Sequence, residues 1–279
     1  MSPQTKFNPR ARALHLLRRM SLSRKSPGVH LCSFNGLNVA LDLSEPVHRS
    51  IYVSGDFEPE LSSVLKRVIR PGDTFLDIGA NMGWHTLQLL ASRDIQMAVA
   101  IEPQQRNVDL LVLALRANNL TERCDVKRLA IMSKSGKVIL KRFKGLDSMH
   151  TSVYPLGDLP FEEEEVPCES IDGLLITSQS LPAVIKCDVE GSELSVLQGA
   201  HETLSGTRGS PPMWLLEANY ETSAMAGYFP WDLVECGAKY GYSPYTIRGT
   251  DIVSVSPKGL RHGDTLVLAI SDLHAARFR

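Results

Sequence analysis

Asp77-Ile78-Gly79-Ala80-Asn81-Met82-Gly83 follows a short apolar run, residues 74–78, and leads into Trp84-His85-Thr86 and the leucines Leu87, Leu89 and Leu90. The apolar run has the length of a buried strand and the leucine segment, 84–92, has helical spacing, so the glycines fall on a strand-to-helix turn. Glycine lets a backbone turn sharply and lets a ligand approach it closely. The helix that opens there offers free amides and the positive end of its dipole, a favourable seat for a carboxylate. Without a ligand the same stretch is a plain glycine-rich turn, so its meaning depends on what surrounds it.

Outward from this turn, strand-length and helix-length segments alternate. Leu61, Val64, Leu65, Val68 and Ile69 recur at helical spacing until Pro71-Gly72 stops them. Further strands are read at 97–101, 126–131, 183–187, 213–217, 242–247 and 265–270, and helices at 104–118, 193–204 and 231–240. Ser135-Gly136 turns into residues 138–143, read as a hairpin strand. Residues 145–167, with Pro155, Gly157 and Pro160, read as a loop whose acids Glu162 to Glu165 form a solvated face. The alternation predicts an α/β fold of right-handed βαβ units, a mostly parallel sheet covered by helices on both faces. Ligands of such sheets sit beyond the carboxyl ends of the strands, so the residues just after each strand carry the chemistry.

The length of 279 residues fits one such domain over 46–279, preceded by a basic arm and lead-in over 1–45. A formal net charge of −1 and the lack of a basic aromatic stripe argue against RNA or DNA as a partner. Five cysteines without C-x-x-C spacing predict neither a disulfide framework nor a zinc site, and they fit a reducing, cytoplasmic setting. No apolar run reaches the roughly 18–20 residues that span a bilayer, so no stable membrane insertion is expected. Lys6, Arg10, Arg12, Arg18, Arg19, Arg24 and Lys25 precede the first acid, Asp42. They read as a solvated arm with one short helix. An organelle transit peptide, or a contact with a membrane surface or partner, is the alternative.

The strand at 97–101 is followed by Glu102-Pro103. An acid there can accept hydrogen bonds from both ribose hydroxyls of a nucleoside, and it can also simply complement a helix dipole. It follows Asp77 by 25 residues, close to the roughly 20 expected between such elements. Gly79 and Gly83 form G-x-x-x-G, which leans away from the G-x-G-x-x-G of a dinucleotide site. Neither a phosphate-cradling G-x-x-x-x-G-K-[ST] nor a hydrolase G-x-S-x-G is present. At this point adenosylmethionine and a nicotinamide cofactor both remain open.

Three blocks resemble the FkbM family of methyltransferases in order and spacing over residues 50–220. They are the turn from Asp77 to Thr86, then Ile101-Glu102-Pro103, then Ile185-Lys186-Cys187-Asp188-Val189-Glu190-Gly191-Ser192-Glu193-Leu194 with Leu197-Gln198-Gly199-Ala200. The third block is the most specific. The resemblance implies a class I methyltransferase fold, a Rossmann-like sheet of seven mostly parallel strands with the last antiparallel. It implies S-adenosylmethionine as methyl donor. Carried over by position, Asp77, Gly79, Asn81 and Gly83 would line its methionine end with Thr86 and Asp188 close by, and Glu102 its ribose. Ala130 would lie near adenine, with Leu129-Ala130 in place of the usual acid. Glu58, in Gly55-Asp56-Phe57-Glu58-Pro59, resembles a segment ahead of the first strand and would join the cofactor residues.

Methyl transfer is an in-line displacement, so most catalysis can come from placing the acceptor atom. A hydroxyl acceptor also gains from a general base. Asp188 and Glu190 follow the fourth strand and are candidate catalytic groups; the alternative is that one caps the helix near Ser192 or pairs with Lys186. His85 is the best-placed histidine for a base, and His150 and Glu217 are lesser candidates. Trp84 and Trp214 read as core or wall. No metal-ligand spacing is present and no metal is expected, although Asp188 with Glu217 could serve Mg²⁺. The resemblance supplies the expected reaction, O-methylation of a hydroxyl on a sugar or small natural product, with the small-molecule acceptor as partner and a homodimer as a compatible assembly. The rivals are a nicotinamide-dependent oxidoreductase, an N-methyltransferase of the same fold, and a binding module without catalysis.

Overall fold

The computed structural model describes residues 9–92, 95–143, 151–155, 157–176 and 181–278; His150 lies outside them. A helix, α1 (Pro9–Leu22), precedes a hairpin of β1 (Val29–Phe34) and β2 (Leu37–Asp42), followed by α2 (Pro46–Ser54) and α3 (Pro59–Val68). The glycine turn joins β3 (Thr74–Ile78) to α4 (Trp84–Ser92), and β4 (Met97–Ile101) leads into α5 (Gln105–Ala117) and β5 (Cys124–Lys127). An insertion follows: β6 (Ala130–Ile131), β7 (Gly136–Phe143), β8 (Thr151–Ser152) and β9 (Phe161–Glu169), then α6 (Ile171–Leu175). The chain returns with β10 (Val184–Cys187), α7 (Glu193–Gln198), α8 (His201–Ser205), β11 (Met213–Ala218), α9 (Tyr220–Met225) and α10 (Pro230–Ala238). It finishes with β12 (Ser243–Arg248), β13 (Asp251–Ser254), β14 (Asp264–Ala269) and α11 (Ser271–His274).

The main sheet has eight strands in the order β13-β12-β14-β11-β10-β3-β4-β5. From β5 to β11 neighbours run parallel, and β14 lies antiparallel between β11 and β12. Seven strands of mixed direction therefore stand as expected, and β13 adds an eighth by pairing with β12 at the edge. The chain leaves β3 toward β4 and β5 on one side, then returns to β10 on the other. That reversal puts the switch point between β3 and β10, where a ligand crevice is expected.

Alternation along β3 distributes the core. Phe75 packs with Val64, Leu65, Val68, Leu87 and Leu90 on one face. Leu76 and Ile78 pack with Ile185, Val196, Leu216 and Leu233 on the other. Val39, Ala40 and Leu41 of β2 belong to the first cluster. The boundary expected after residue 45 is therefore not a break in packing: the β1–β2 hairpin is part of the core. By contrast, α1 exposes Leu14, Leu16, Leu17 and Met20, in keeping with a solvated arm. All five cysteines are free thiols. Among the described residues, no helix is long and apolar enough to cross a membrane.

Three local readings are corrected. The strand read at 126–131 breaks after Lys127, where the Leu129 amide turns back to the Lys127 carbonyl at 3.2 Å. Ala130 and Ile131 then pair with β9 in a second sheet, of order β6-β9-β7-β8. The loop read at 145–167 contains β8 and β9, and Glu162 to Glu165 lie on β9 opposite Ile139 to Arg142. Four consecutive acids carry no period-two signal; their strand is held by cross-strand pairing, including Arg142 with Glu162, Lys137 with Glu165 at 2.6 Å, and Arg128 with Glu164. The helix read at 193–204 is broken at Gly199-Ala200 into α7 and α8.

The strand ends around the switch point are tied tightly. The Asp188 amide donates to the Ile78 carbonyl at 3.1 Å, and the amides of Gly79 and Ala80 donate to the Ile101 carbonyl at 2.9 and 3.0 Å. This closeness dictates Gly79: its φ is +73°, and a Cβ there would sit 1.8 Å from the Asp188 carbonyl oxygen. Gly79→Ala is expected to destabilise the fold by about 3 kcal/mol through backbone strain and the displaced strand end. Urea unfolding measures it, and a loss under about 1 kcal/mol would show that β10 yields freely.

Candidate active site

A cleft of about 970 Å³, solvent at its mouth included, lies over these strand ends. It is bordered by Gly79, Asn81, Glu102, Ala130, Asp188 and Glu190, contributed by four separate segments.

One end is built on Glu102, which is 5% exposed. Its Oε2 accepts from the Asn81 amide at 2.9 Å and its Oε1 from the Gln104 amide at 2.9 Å. The acid and the glycine turn are therefore one hydrogen-bonded unit. Burial pushes the Glu102 carboxyl up to about 7, against the opposing pull of the Gln104 and Asn81 amides. Asn81 takes a left-handed φ of 51°, and its Oδ1 accepts from the Met82 amide at 2.7 Å. Asn107 borders the cleft with an Oδ1 that is buried and unpaired. Leu129, Ala130 and Ile131 supply an apolar wall.

Asp77 and Thr86, expected among the cofactor contacts, occupy a supporting position. Thr86 Oγ1 donates to Asp77 Oδ2 at 2.7 Å, the two are 0% and 1% exposed respectively, and neither borders the cleft. Beside them lies Lys186, 4% exposed, with Nζ 3.2 Å from Asp188 Oδ2, 3.7 Å from Asp77 Oδ1 and 3.4 Å from the Gly79 carbonyl. Burial alone would pull the ammonium down; the carboxylates of Asp188, Asp77 and Glu58 outweigh it and hold it above the usual lysine range. Lys186 was visible in the sequence only as a partner for Asp188. Its signal was a lysine inside an otherwise apolar strand, Val184-Ile185-Lys186-Cys187.

Glu58 and His85 form a second pair. Glu58 precedes α3 in a left-handed conformation, φ 46°, and accepts from His85 Nε2 at 2.8 Å. Burial raises the Glu58 carboxyl, but His85 and Lys186 more than offset it and leave it below the ordinary range. His85 Nδ1 is 3.3 Å from Ser62 Oγ. His85 borders the cleft, yet both ring nitrogens are engaged and the ring is 5% exposed. Its geometry is that of a support for Glu58, not of a base free to meet an acceptor.

The other end of the cleft is acidic. Asp188, Glu190 and Glu217 each bring a carboxylate oxygen within 4.8 Å of the others, a grouping that could hold a metal ion and that contains the Asp188–Glu217 pair the sequence offered for Mg²⁺. Glu190 has a left-handed φ of 50°, and Ser152 Oγ of β8 fixes its carbonyl at 2.6 Å. The turn around it is held by a residue the sequence did not single out. Glu193, 2% exposed, accepts from the amides of Val189 at 2.9 Å and Gly191 at 3.1 Å and from the Tyr228 hydroxyl at 2.7 Å. Its signal was an acid two residues after the glycine in Asp188-Val189-Glu190-Gly191-Ser192-Glu193. Neither Asp188 nor Glu190 caps α7: its N-cap position is Ser192, with no side-chain cap bond, and Glu193 holds the turn that precedes it. Burial, then the neighbouring Asp188 and Glu190, push the Glu217 carboxyl well above the usual carboxylate range and favour its protonated form.

Comparison with known proteins adds the following. No curated protein matches the sequence. Among solved structures, the methyltransferase FkbM from Methylobacillus flagellatus is 16% identical over 91% of this chain, with a TM-score of 0.48; the chain spans 59% of that structure's length. P. horikoshii TYW2, solved in complex with MeSAdo, is 13% identical, with 94% of this chain and 84% of that one covered and a TM-score of 0.44. The methyltransferase FkbM domain model matches residues 77–230, from the acid ahead of the glycine turn to the start of α10. That stretch is more than half of the chain and holds the turn, Glu102 and the acidic end of the cleft; the protein belongs to the FkbM methyltransferase family.

Proposed function

We propose that the protein binds S-adenosylmethionine and methylates a hydroxyl of a small molecule, a sugar or natural product, in the cytoplasm. The observation that carries this reading is that one cleft joins a nucleoside-type end, Glu102 with the glycine turn, to Asp188 and Glu190, whose carboxylates group with that of Glu217. Glu102 and Asn81 would hold the ribose, Leu129 and Ala130 the base, and the turn at Gly79 to Gly83 the amino-acid end. The buried, unpaired Asn107 Oδ1 supports occupancy by a polar ligand at the ribose end. When bound, the sulfonium supplies an electrophilic methyl group with a good leaving group.

The chain's own contribution is to place the acceptor and take its proton. Asp188 is anchored by Lys186 and orients the hydroxyl through its free oxygen. Glu217 favours its protonated form and can then donate a hydrogen bond, so it does not serve as the base. Glu190 is then the carboxylate that receives the proton, aimed by a strained backbone and by Ser152. Thr151, Ser152 and Val153 of the insertion border the cleft and would narrow it around the acceptor. The sugar or natural-product class rests on the family resemblance, and the free thiols fit the reducing compartment.

Two measurements test the reading. Glu190→Gln should lower kcat by about 10²–10⁴-fold, the usual worth of a general base, while the adenosylmethionine Kd stays within about threefold. An unchanged kcat removes Glu190 from the proton's path, and saturable NADH binding with none for adenosylmethionine points to the oxidoreductase rival. The second test concerns pH. Ribose hydroxyls donate to the ionised Glu102 and so lower its pKa from about 7, which means that binding releases a proton. Calorimetric affinity for adenosylmethionine should therefore rise as pH goes from 6 to 8, and Glu102→Gln should abolish that component. A slope retained in the variant would place the titrating group elsewhere.

A further inference from the structure

Four large apolar side chains of α1 stand in water: Leu14 is 46% exposed, Leu16 59%, Leu17 62% and Met20 52%. Helical spacing links Leu14 to Leu17, Leu16 to Met20 and Leu17 to Met20, so the four form one stripe. Other residues of the helix fix it to the body of the protein. Leu22 packs against the core, Ser21 Oγ accepts from the Tyr52 hydroxyl of α2 at 3.0 Å, and the Arg18 guanidinium lies 4.9 Å from the centre of the Phe34 ring. Arg18 also fits so closely over Gly55 that a Cβ there would meet its Nη1 at 1.6 Å. The stripe is therefore held outward by the packing of the rest of α1.

Charge decides what covers it. Lys6, Arg10, Arg12, Arg18, Arg19, Arg24 and Lys25 precede the first acid, Asp42, so this part of the chain is strongly positive although the whole carries a net −1. Arg19, one helical turn beyond Leu16, is exposed, and so is Arg24 just after the helix. A second copy of α1 laid on the stripe would bring like charges together, which opposes self-association there. An anionic lipid surface complements both features at once: its headgroups carry oxygens for the arginines, and its acyl boundary takes the leucines and the methionine. With 14 residues α1 is too short to cross a bilayer, so it would lie in the plane of the surface.

We infer that α1 docks the protein on the surface of an anionic lipid bilayer, with Leu14, Leu16, Leu17 and Met20 entering the boundary between headgroups and acyl chains and Arg19 and Arg24 on the headgroups. The inference is independent of the cofactor reading. It gives the lead-in a role of its own: α1 packs on α2, and α2 carries His48 and Ile51 of the cleft lining. The docked surface and the cleft thus share one element.

The test is flotation of the full chain with two kinds of vesicle, phosphatidylcholine alone and phosphatidylcholine with about a third phosphatidylserine. The chain should float with the anionic vesicles and not with the neutral ones, and added salt should release it. Leu16→Ser with Leu17→Ser should weaken the binding by about tenfold or more. Arg19→Gln with Arg24→Gln should weaken it by about tenfold or more, since each cation near such a surface is worth about fivefold. All four side chains are exposed, so urea unfolding of both variants should match the wild type and report an intact fold. The inference is overturned if the wild type fails to float with the anionic vesicles, or if the leucine variant floats as well as the wild type. A dimer that the leucine substitutions disperse, without flotation, assigns the stripe to a second copy and overturns it too. So does retention on soluble polyglutamate that equals retention on the vesicles, which assigns the arginines to an acidic protein.

Discussion

The cleft is organised around a buried ammonium. Lys186 stands on the strand at the switch point, shielded from water, with Asp77 on the neighbouring strand and Asp188 at its own strand's end. Such a cation is stable only with carboxylates beside it, and those carboxylates are costly to bury without it. Each member therefore enforces the others. Asp77 lies beside the ammonium and off the cleft, the Gly79 carbonyl of the turn lies 3.4 Å from the ammonium, and Asp188 borders the cleft. Glu58 and His85 extend the same field to the N-terminal side.

Around this centre the protein separates its polar groups by function. Hydrogen-bond acceptors gather at Glu102, carboxylates gather at Asp188, Glu190 and Glu217, and an apolar wall of Leu129, Ala130 and Ile131 lines the cleft. On the proposed reading, a ligand with hydroxyls at one end and a reacting centre at the other meets a complementary surface along its length. The orientation of a bound molecule is then set by chemistry at both ends, with the apolar wall at Ala130 indifferent to direction.

Much of this was legible in the sequence, for identifiable reasons. Buried parallel strands are apolar throughout and bounded by turns, so the stretch from Thr74 to Ile101 could be read almost to the residue. Residues that follow strands could be assigned to the cleft from topology alone, which is how Glu102, Asp188 and Glu190 were found. What sequence pattern does not contain is direction. Asp77 and Gly79 are two residues apart, yet one is off the cleft and the other on it. His85 looks free until its two nitrogens meet Glu58 and Ser62, one of them 27 residues away. The strand β9 was hidden because four glutamates in a row imitate a solvated loop, and only the basic residues of β7 and Arg128 across from them make them a strand.

Glu190 offers a last consequence. It is a side-chain-bearing residue in a conformation suited to glycine, at a backbone cost on the order of 1 kcal/mol or more, and it sits directly before Gly191. On the role proposed for Glu190, stability and turnover select opposite residues at position 190. A lineage that kept the fold but ceased to need methylation would be drawn toward glycine or asparagine there. Among relatives of this chain, the residue at that one position would then distinguish working enzymes from descendants that retain only the scaffold.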